Sequence, residues 1–225
     1  MSNLKEILLN KKICKSVWFM RQAGRYLPEF RKIRSRNQNF IELCLNSELS
    51  SEITLQPIKR FDLDSAIIFS DILIVPHALG QGVKFIKDQG PILDEFNYKK
   101  FLNNDIKSFT KKLHPVYKAI QISRSKLNKK KSLIAFIGAP WTLLIYMLGA
   151  KQTKKKIDYK VIKDKEFEIN LIFDKLNEFL CAHIENQINA GADVVQIFDS
   201  WAGLIEKKKS FKLLLYSEFK NCRFL

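Results

Sequence analysis

Four short runs of apolar residues recur along the chain, and long stretches with helical spacing separate them. The runs are Val17–Met20, Ala66–Phe69, Leu133–Ile137 and Val194–Phe198. Between them, stretches such as residues 98–128 and 158–189 place apolar residues three and four positions apart, which is the spacing of an amphipathic helix. Strands that are apolar on both faces are typical of a parallel sheet covered by helices on both sides. The sequence therefore predicts an α/β fold.

Two α/β architectures fit this alternation, an open doubly wound sheet and an eight-stranded (β/α)8 barrel of the TIM type. The nucleotide-binding form of the open sheet lacks its signature, because Gly80 and Gly82 are followed by Phe85 where a third glycine is required. The barrel is favoured because unusual residues follow every apolar run, and barrel enzymes carry their sites on the loops after the strands. Four strand–helix units, about half of such a barrel, are predicted.

The uncharged run from Leu133 to Ala150 is 18 residues long, which is just enough for a membrane span. Pro140 would cost a continuous helix a hydrogen bond, and Thr142 is suited to cap a new helix. A buried strand, a turn and a buried helix are therefore predicted instead of a membrane segment. Lys5 and Glu6 interrupt the short apolar stretch near the start, so we expect no signal peptide and a cytoplasmic protein.

The net charge is +16, which by itself suggests a nucleic-acid partner. Residues 1–98 carry only +3 and residues 99–225 carry +13, mostly as lysine runs without interleaved aromatic residues. Such runs usually lie on solvated surfaces, so we expect no nucleic-acid partner. Arginine is distributed differently, since five of the eight arginines fall between Arg21 and Arg36. Arginine grips carboxylates and phosphates with two parallel hydrogen bonds.

The residues that follow the apolar runs suggest a binding site at one rim of the barrel. They are Arg21 and Arg25 after the first run, Asp71 after the second, Tyr146 after the third and Ser200 after the fourth. The arginines suit a ligand with several carboxylates or phosphates, and an acid at the end of an apolar strand suits a positive charge that develops on the ligand. Surface salt bridges, a helix cap and local hydrogen bonds are the structural alternatives.

A metal site is not expected. The four cysteines contain no C-x-x-C pair, and the three histidines form no metal-ligand pattern with any carboxylate or cysteine. We therefore expect reduced thiols and histidines with structural or surface roles.

The segment Phe19–Arg31, FMRQAGRYLPEFR, resembles the N-terminal signature of the uroporphyrinogen decarboxylase family. Further segments that resemble this family follow in the same order: Thr54–Phe61, Ala66–Leu73, Pro76–Gly80, Gly138–Thr142 and Gln196–Gly203. The resemblance covers about residues 4–203, so residues 1–203 are interpreted as the N-terminal half of such a barrel and residues 204–225 as a divergent tail.

The resemblance implies a TIM-barrel homodimer of porphyrin and haem biosynthesis that needs no cofactor. Such an enzyme removes CO₂ from the four acetate side chains of uroporphyrinogen and gives coproporphyrinogen. It implies a substrate-binding loop of Arg21, Gln22, Ala23, Gly24 and Arg25, with Asp71 and Arg21 as the catalytic residues. It also implies that Tyr146 and Ser200 contact substrate carboxylates and that Arg34 adds a peripheral charge.

A half barrel would expose sheet edges and an unfilled interior, so the chain is expected to be a fragment that is inactive without a completing partner. Two alternatives stay open at this point. One is a methyltransferase of the same superfamily that uses zinc and a corrinoid. The other is a non-catalytic product whose basic half binds nucleic acid.

Overall fold

The computed structural model describes residues 3–10, 15–86, 89–153, 156–163 and 166–205. The helices in these ranges are α1 (Asn3–Asn10), α2 (Pro28–Arg36), α3 (Phe40–Cys44), α4 (Ser47–Arg60), α5 (Ile74–Ala78), α6 (Tyr98–Leu102), α7 (Ile106–Lys126), α8 (Pro140–Met147), α9 (Tyr159–Lys163) and α10 (Glu166–Asn189), followed by a 3₁₀ turn at Ala202–Leu204. The strands are β1 (Ser65–Ile67), β2 (Val83–Ile86), β3 (Gly90–Leu93), β4 (Ser132–Gly138), β5 (Lys151–Thr153), β6 (Lys156–Ile157) and β7 (Val194–Phe198). Of the predicted divergent tail, residues 206–225 lie outside the described ranges.

Three of the four apolar runs are strands of one sheet with the order β1-β4-β7. β1 pairs with β4 in parallel, with Ser65 opposite Ser132 and Ile67 opposite Ile134. The long helices α7 and α10 occupy the two stretches in which helical spacing is predicted. The α/β alternation is confirmed.

The first apolar run differs from the expectation, because residues 15–20 form no strand. The Val17 carbonyl accepts from the Asp64 amide at 3.0 Å, and the Val17 amide donates to the Asp64 carboxylate at 2.6 Å. This single residue pair does not continue into a ladder. Val17, Phe19 and Met20 are exposed as a result.

The uncharged run from Leu133 to Ala150 is divided as predicted into β4, a turn and α8. Helix α8 starts at Pro140 rather than at a Thr142 cap, because proline has the right φ for the first helical position and needs no amide partner there. No described helix is long and apolar enough to cross a membrane.

The chain forms two compact units. Unit 1 contains residues 1–71, 113–136 and 186–196. Its core includes a cluster of Leu27, Phe30, Leu43 and Ile53, against which Phe69 packs. The guanidinium of Arg60 on α4 donates to both carboxylate oxygens of Glu29 on α2, at 2.6 and 2.9 Å, and this fixes α2 against α4.

Unit 2 contains residues 72–112, 137–185 and 197–225. Its core includes an aromatic cluster in which Phe109 and Phe101 from two helices pack on Phe179 of α10, with ring centroids 4.9 and 6.4 Å apart. His183 lies one turn further along α10, is 1% exposed, and packs edge-on against Phe109.

A half-buried ion pair in unit 1 aligns the start of β7 with β4. Arg124 donates to the Asp193 carboxylate at 2.8 Å, and the same carboxylate oxygen accepts from the Leu133 amide at 2.9 Å. The Asp193 amide in turn donates to the Leu133 carbonyl at 2.8 Å. Gly191 at φ +107° lets the chain pass beside the Arg124 side chain, where a Cβ would lie 3.1 Å from its Cγ.

We expect Asp193→Ala to lower the free energy of unfolding by about 2–4 kcal/mol, because it leaves a half-buried guanidinium and the Leu133 amide without their acceptor. Asp193→Asn keeps one acceptor oxygen and should cost less. Urea unfolding followed by circular dichroism measures both. Asp62→Ala, which removes the exposed partner of Lys131, is the control and should leave the urea midpoint unchanged. Equal midpoints for Asp193→Ala and the wild-type chain would contradict this role.

The buried imidazole of His183 makes stability depend on pH. Burial lowers the pKa of His183 to about 3, whereas an unfolded histidine has a pKa of about 6.5. Below pH 6.5 the unfolded chain therefore takes up a proton that the folded chain excludes, and stability falls as the pH falls toward 3. Between pH 7 and 5 this one group should lower the free energy of unfolding by about 2 kcal/mol.

In urea unfolding at pH 7, 6 and 5, His183→Gln should lose stability less steeply than the wild-type chain, whereas exposed His114→Gln should match it. A His183→Gln slope equal to that of the wild-type chain would be evidence against this assignment.

Candidate functional site

In unit 1, the predicted binding loop is held by hydrogen bonds to its own carbonyl groups. The Tyr26 hydroxyl donates to the Gln22 carbonyl, and the Leu27 amide donates to the Gly24 carbonyl at 3.0 Å. The Arg31 guanidinium donates to the Arg25 carbonyl at 2.8 Å. These three hydrogen bonds fix the backbone of the loop immediately before α2.

The Gln22 side chain anchors this loop to the sheet. It is 3% exposed, and its Nε2 donates to the Ser65 carbonyl at the start of β1 at 2.8 Å. Ala23 and Leu27 pack into the core cluster of unit 1. Gln22, Ala23 and Leu27 therefore fix the loop against the interior of unit 1.

The two arginines of the loop point their charges outward. Arg21 and Arg25 are exposed, and within the described ranges neither forms an ion pair. The amides of Ala23 and Gly24 also have no hydrogen-bond partner among the described residues. Guanidinium groups beside open backbone amides form a surface that binds anions.

Arg34, the predicted peripheral cation, is largely occupied within unit 1. Its Nη1 donates to the Asn37 carbonyl at the end of α2, and its guanidinium carbon lies 5.8 Å from the centroid of the Phe40 ring. These contacts hold its charge at the C-terminal end of α2.

Asp71 lies half-buried just beyond the end of β1, and the residues before it are tightly held. The Phe69 amide donates to the Thr54 hydroxyl at 2.8 Å, and the Phe69 carbonyl accepts from the Ser50 hydroxyl at 2.6 Å. The Phe69 ring packs edge-on against Phe30 at 5.8 Å. Because Phe30 belongs to the same cluster as Leu27, one core supports both the strand end that carries Asp71 and the arginine loop.

The buried thiol of Cys44 places Asp71 and Arg34 in one electrostatic neighbourhood. Burial raises the pKa of Cys44 well above its usual value, the negative charge of Asp71 raises this pKa further, and the positive charge of Arg34 lowers it. The Asp71 carboxylate and the Arg34 guanidinium therefore both act on the pKa of Cys44, in opposite directions.

In unit 2, Tyr146 and Ser200 are joined through Trp201. The half-buried Tyr146 ring on α8 packs edge-on against the Trp201 ring, with centroids 6.0 Å apart, and the Lys151 ammonium lies 5.8 Å from the Tyr146 centroid. Ser200 is exposed, whereas its neighbour Trp201 is 4% exposed. The Tyr146 ring thus contacts both the Lys151 ammonium and Trp201, the residue that directly follows Ser200 in the chain.

Sequence reasoning missed Asp199, which directly precedes Ser200. Its carboxylate accepts from the Thr142 hydroxyl at 2.6 Å, and burial raises the pKa of Asp199 above its usual value. Asp199 directly follows an apolar run, and Asp71 follows another at a distance of two residues; this shared position is the signal that could have identified Asp199.

The described residues contain no group of three or more His, Cys, Asp or Glu side chains that could hold a metal ion.

The model of the uroporphyrinogen decarboxylase (URO-D) family matches residues 12–217, which include every predicted site residue from Arg21 to Ser200. The chain belongs to the uroporphyrinogen decarboxylase family. It is 47% identical over 192 residues to uroporphyrinogen decarboxylase from Orientia tsutsugamushi (strain Ikeda), covering 84% of this chain and 55% of the relative. It is 42% identical over 197 residues to the Rickettsia felis enzyme of the same name, covering 86% and 56%. The chain thus spans about half the length of the curated relatives it matches.

A methyltransferase from Methanosarcina mazei has a similar solved structure, with a TM-score of 0.71 over 95% of this chain and 64% of that protein. At 17% sequence identity this likeness shows the fold alone. The α/β fold of TIM-barrel type, expected from the sequence, is that of the uroporphyrinogen decarboxylase family.

We expect Gln22→Ala to lower the free energy of unfolding by about 1–2 kcal/mol and to speed amide hydrogen exchange at Leu27, because the loop loses its bond to β1. Urea unfolding tests the first effect, and amide hydrogen exchange measured by NMR tests the second. Gln38→Ala, at an exposed position in the same unit, should change neither. The anchoring role is wrong if Gln22→Ala behaves like Gln38→Ala.

Proposed function

We propose that the protein catalyses the decarboxylation of the four acetate side chains of uroporphyrinogen to give coproporphyrinogen, within porphyrin and haem biosynthesis. Family membership supports this reaction, because relatives at 41–47% identity are named uroporphyrinogen decarboxylase. The observation that carries the proposal is the Arg21–Arg25 loop, which holds two guanidinium groups without ion-pair partners in the described ranges. A substrate with eight carboxylates matches such a surface in charge.

In this proposal, the loop binds acetate and propionate groups. Arg21 and Arg25 supply forked donors, and the open amides of Ala23 and Gly24 add hydrogen bonds to carboxylate oxygens. Gln22 holds the loop in place through Ser65. Arg34 acts only as a peripheral charge, because Asn37 and Phe40 already engage its guanidinium.

Asp71 is the proposed electrostatic partner of the reacting ring. Its carboxylate accepts hydrogen bonds from pyrrole N–H groups, and it stabilises the positive charge that appears when a ring carbon takes up a proton. The bond from the acetate methylene carbon to the carboxylate then breaks, its electron pair neutralises the ring, and CO₂ leaves. The methylene carbon then takes up a proton and becomes a methyl group, and the ring carbon loses the proton that it gained. Each of the four decarboxylations therefore consumes one proton in total. Arg21, or a water that it holds, is the proposed proton donor.

The ring of the substrate serves as the electron sink in this scheme, so the reaction is proposed to need no metal and no organic cofactor. In unit 2, Tyr146 and Ser200 are proposed to contact substrate carboxylates through their hydroxyl groups. A cytoplasmic homodimer without a nucleic-acid partner stays a prediction. The methyltransferase likeness is a likeness of fold and adds no support for methyl transfer.

Binding and turnover separate the proposed roles. Uroporphyrin binding is measured by fluorescence titration of the chain alone. Conversion of chemically reduced uroporphyrinogen is measured by chromatography of the oxidised products, with the C-terminal half of a curated relative supplied as the completing partner. Asp71→Asn should retain binding but lose about 10²–10³ in rate, because a preorganised electrostatic partner is removed. Arg21→Gln should weaken binding about 10-fold or more, whereas Arg36→Gln, an exposed arginine outside the loop, should not.

Turnover by Asp71→Asn within a few-fold of the wild-type rate would refute the role of the carboxylate. Unchanged uroporphyrin affinity in Arg21→Gln would refute the role of the loop. If the wild-type chain binds no uroporphyrin and, with the completing half supplied, converts no uroporphyrinogen, the proposed function is wrong for this chain.

A further inference from the structure

Unit 2 contains a buried hydroxyl–carboxylate pair to which the proposed reaction assigns no role. Thr142 is fully buried on α8, and its Oγ1 donates to Asp199 Oδ1 at 2.6 Å. The same Oγ1 accepts from the Trp201 amide at 3.2 Å. Thr142 therefore contacts the residues on both sides of Ser200.

Two further hydrogen bonds connect the start of α8 to this turn. The Ala139 amide donates to the Phe198 carbonyl at 2.9 Å, and Trp141 Nε1 donates to the Trp201 carbonyl at 3.2 Å. Together with Thr142, the segment 139–142 holds the backbone from Phe198 to Trp201. Ser200 is the exposed residue inside this clamped stretch.

The side chain of Trp201 extends the clamp to Tyr146. Its ring is almost fully buried and meets the Tyr146 ring at 83°. This ring contact holds Trp201 from the side of α8, so the residue that follows Ser200 is fixed by its side chain as well as by its backbone.

The Asp199 carboxylate is costly to place here. Burial raises the pKa of Asp199, which means that the site disfavours its charge, while the hydrogen bond from Thr142 acts in the opposite direction. Within the described ranges, no cation forms an ion pair with it. Because this hydrogen bond offsets only part of the cost of burial, the carboxylate contributes little net stability, and its role is to fix geometry.

We propose that Thr142 and Asp199 are positioning residues of the substrate site, and that their hydrogen bond holds the turn so that the Ser200 hydroxyl meets a substrate carboxylate. Neither side chain touches the substrate in this arrangement. The inference rests on the proposed function and adds the residues that give Ser200 its orientation.

The test measures the affinity of the full chain for uroporphyrin by fluorescence titration. Thr142→Val keeps the shape of the side chain but removes both hydrogen bonds, so the affinity should fall about 10-fold. Thr142→Ser restores the hydroxyl and should stay within about 3-fold of the wild-type affinity. Thr110→Val is the matched control, because its hydroxyl bonds only within α7, and it should leave the affinity unchanged.

A double variant distinguishes positioning from a general loss of structure. If Thr142 acts through Ser200, then Thr142→Val/Ser200→Ala should bind uroporphyrin no more weakly than Ser200→Ala alone. Thermal unfolding establishes that each variant is folded. Should Thr142→Val fail to fold, Asp199→Ala breaks the same pair from the other side and should give the same 10-fold loss, again absent on the Ser200→Ala background.

Several results would overturn the inference. These are a folded Thr142→Val or Asp199→Ala chain with wild-type affinity, additive losses in the double variant, or an equal loss in Thr142→Ser. Arg21→Gln separates this failure from that of the proposed function. If Arg21→Gln loses affinity while Thr142→Val keeps it, only the positioning role fails, whereas a wild-type chain that does not bind uroporphyrin ends both.

Discussion

The carboxylate of Asp193 joins three elements of unit 1 at one point. It accepts hydrogen bonds from the Arg124 guanidinium at the end of α7 and from the Leu133 amide at the start of β4. The Asp193 amide donates to the Leu133 carbonyl. Parallel strands lack the short turn that sets register in a hairpin, so register must be fixed by other contacts. Asp193 fixes it for β7, because both hydrogen-bonding groups of Leu133 bind the residue immediately before that strand. The residues that follow β7 depend on this alignment.

The two ends of β7 show how one residue type serves two purposes. Asp193 precedes the strand and is neutralised by a fork-shaped cation, whereas Asp199 follows it and accepts from the Thr142 hydroxyl. The arginines divide in the same way. Arg31 donates to loop carbonyls and Arg34 contacts Asn37 and Phe40, so their donors stabilise the chain itself. Arg21 is exposed and forms no ion pair within the described ranges, so its donors are open to the proposed substrate. Local stability and the proposed ligand binding thus fall to different members of one arginine cluster.

Apolar patterning predicted the sheet strands β1, β4 and β7 and the long helices, because each strand overlaps an apolar run in the sequence. β1 and β4 are buried on both faces, whereas β7 is half-buried along its length. The pattern failed at Val17–Met20, where composition is apolar but only one residue pair forms hydrogen bonds. It also assigned Thr142 to a local cap, since capping involves neighbours and is visible in sequence. Its actual partner, Asp199, lies 57 residues away. A contact of this kind has no periodicity, so only the fold brings it to light. The anchoring of Gln22 to Ser65, 43 residues on, was missed for the same reason.

The lysine excess of the second half of the chain has a structural use that charge counting misses. Lys112 donates to the Ala78 carbonyl and Lys100 to the Gly80 carbonyl, both at 2.7 Å, at the C-terminal end of α5. The last carbonyls of a helix lack internal partners and carry partial negative charge, so a lysine there satisfies an acceptor and interacts favourably with the helix dipole. Lys131, from one of the lysine runs, likewise donates to the Leu63 carbonyl before β1. Each of these ammonium groups therefore satisfies a backbone acceptor as well as carrying a charge, and the net charge of +16 alone does not reveal this use.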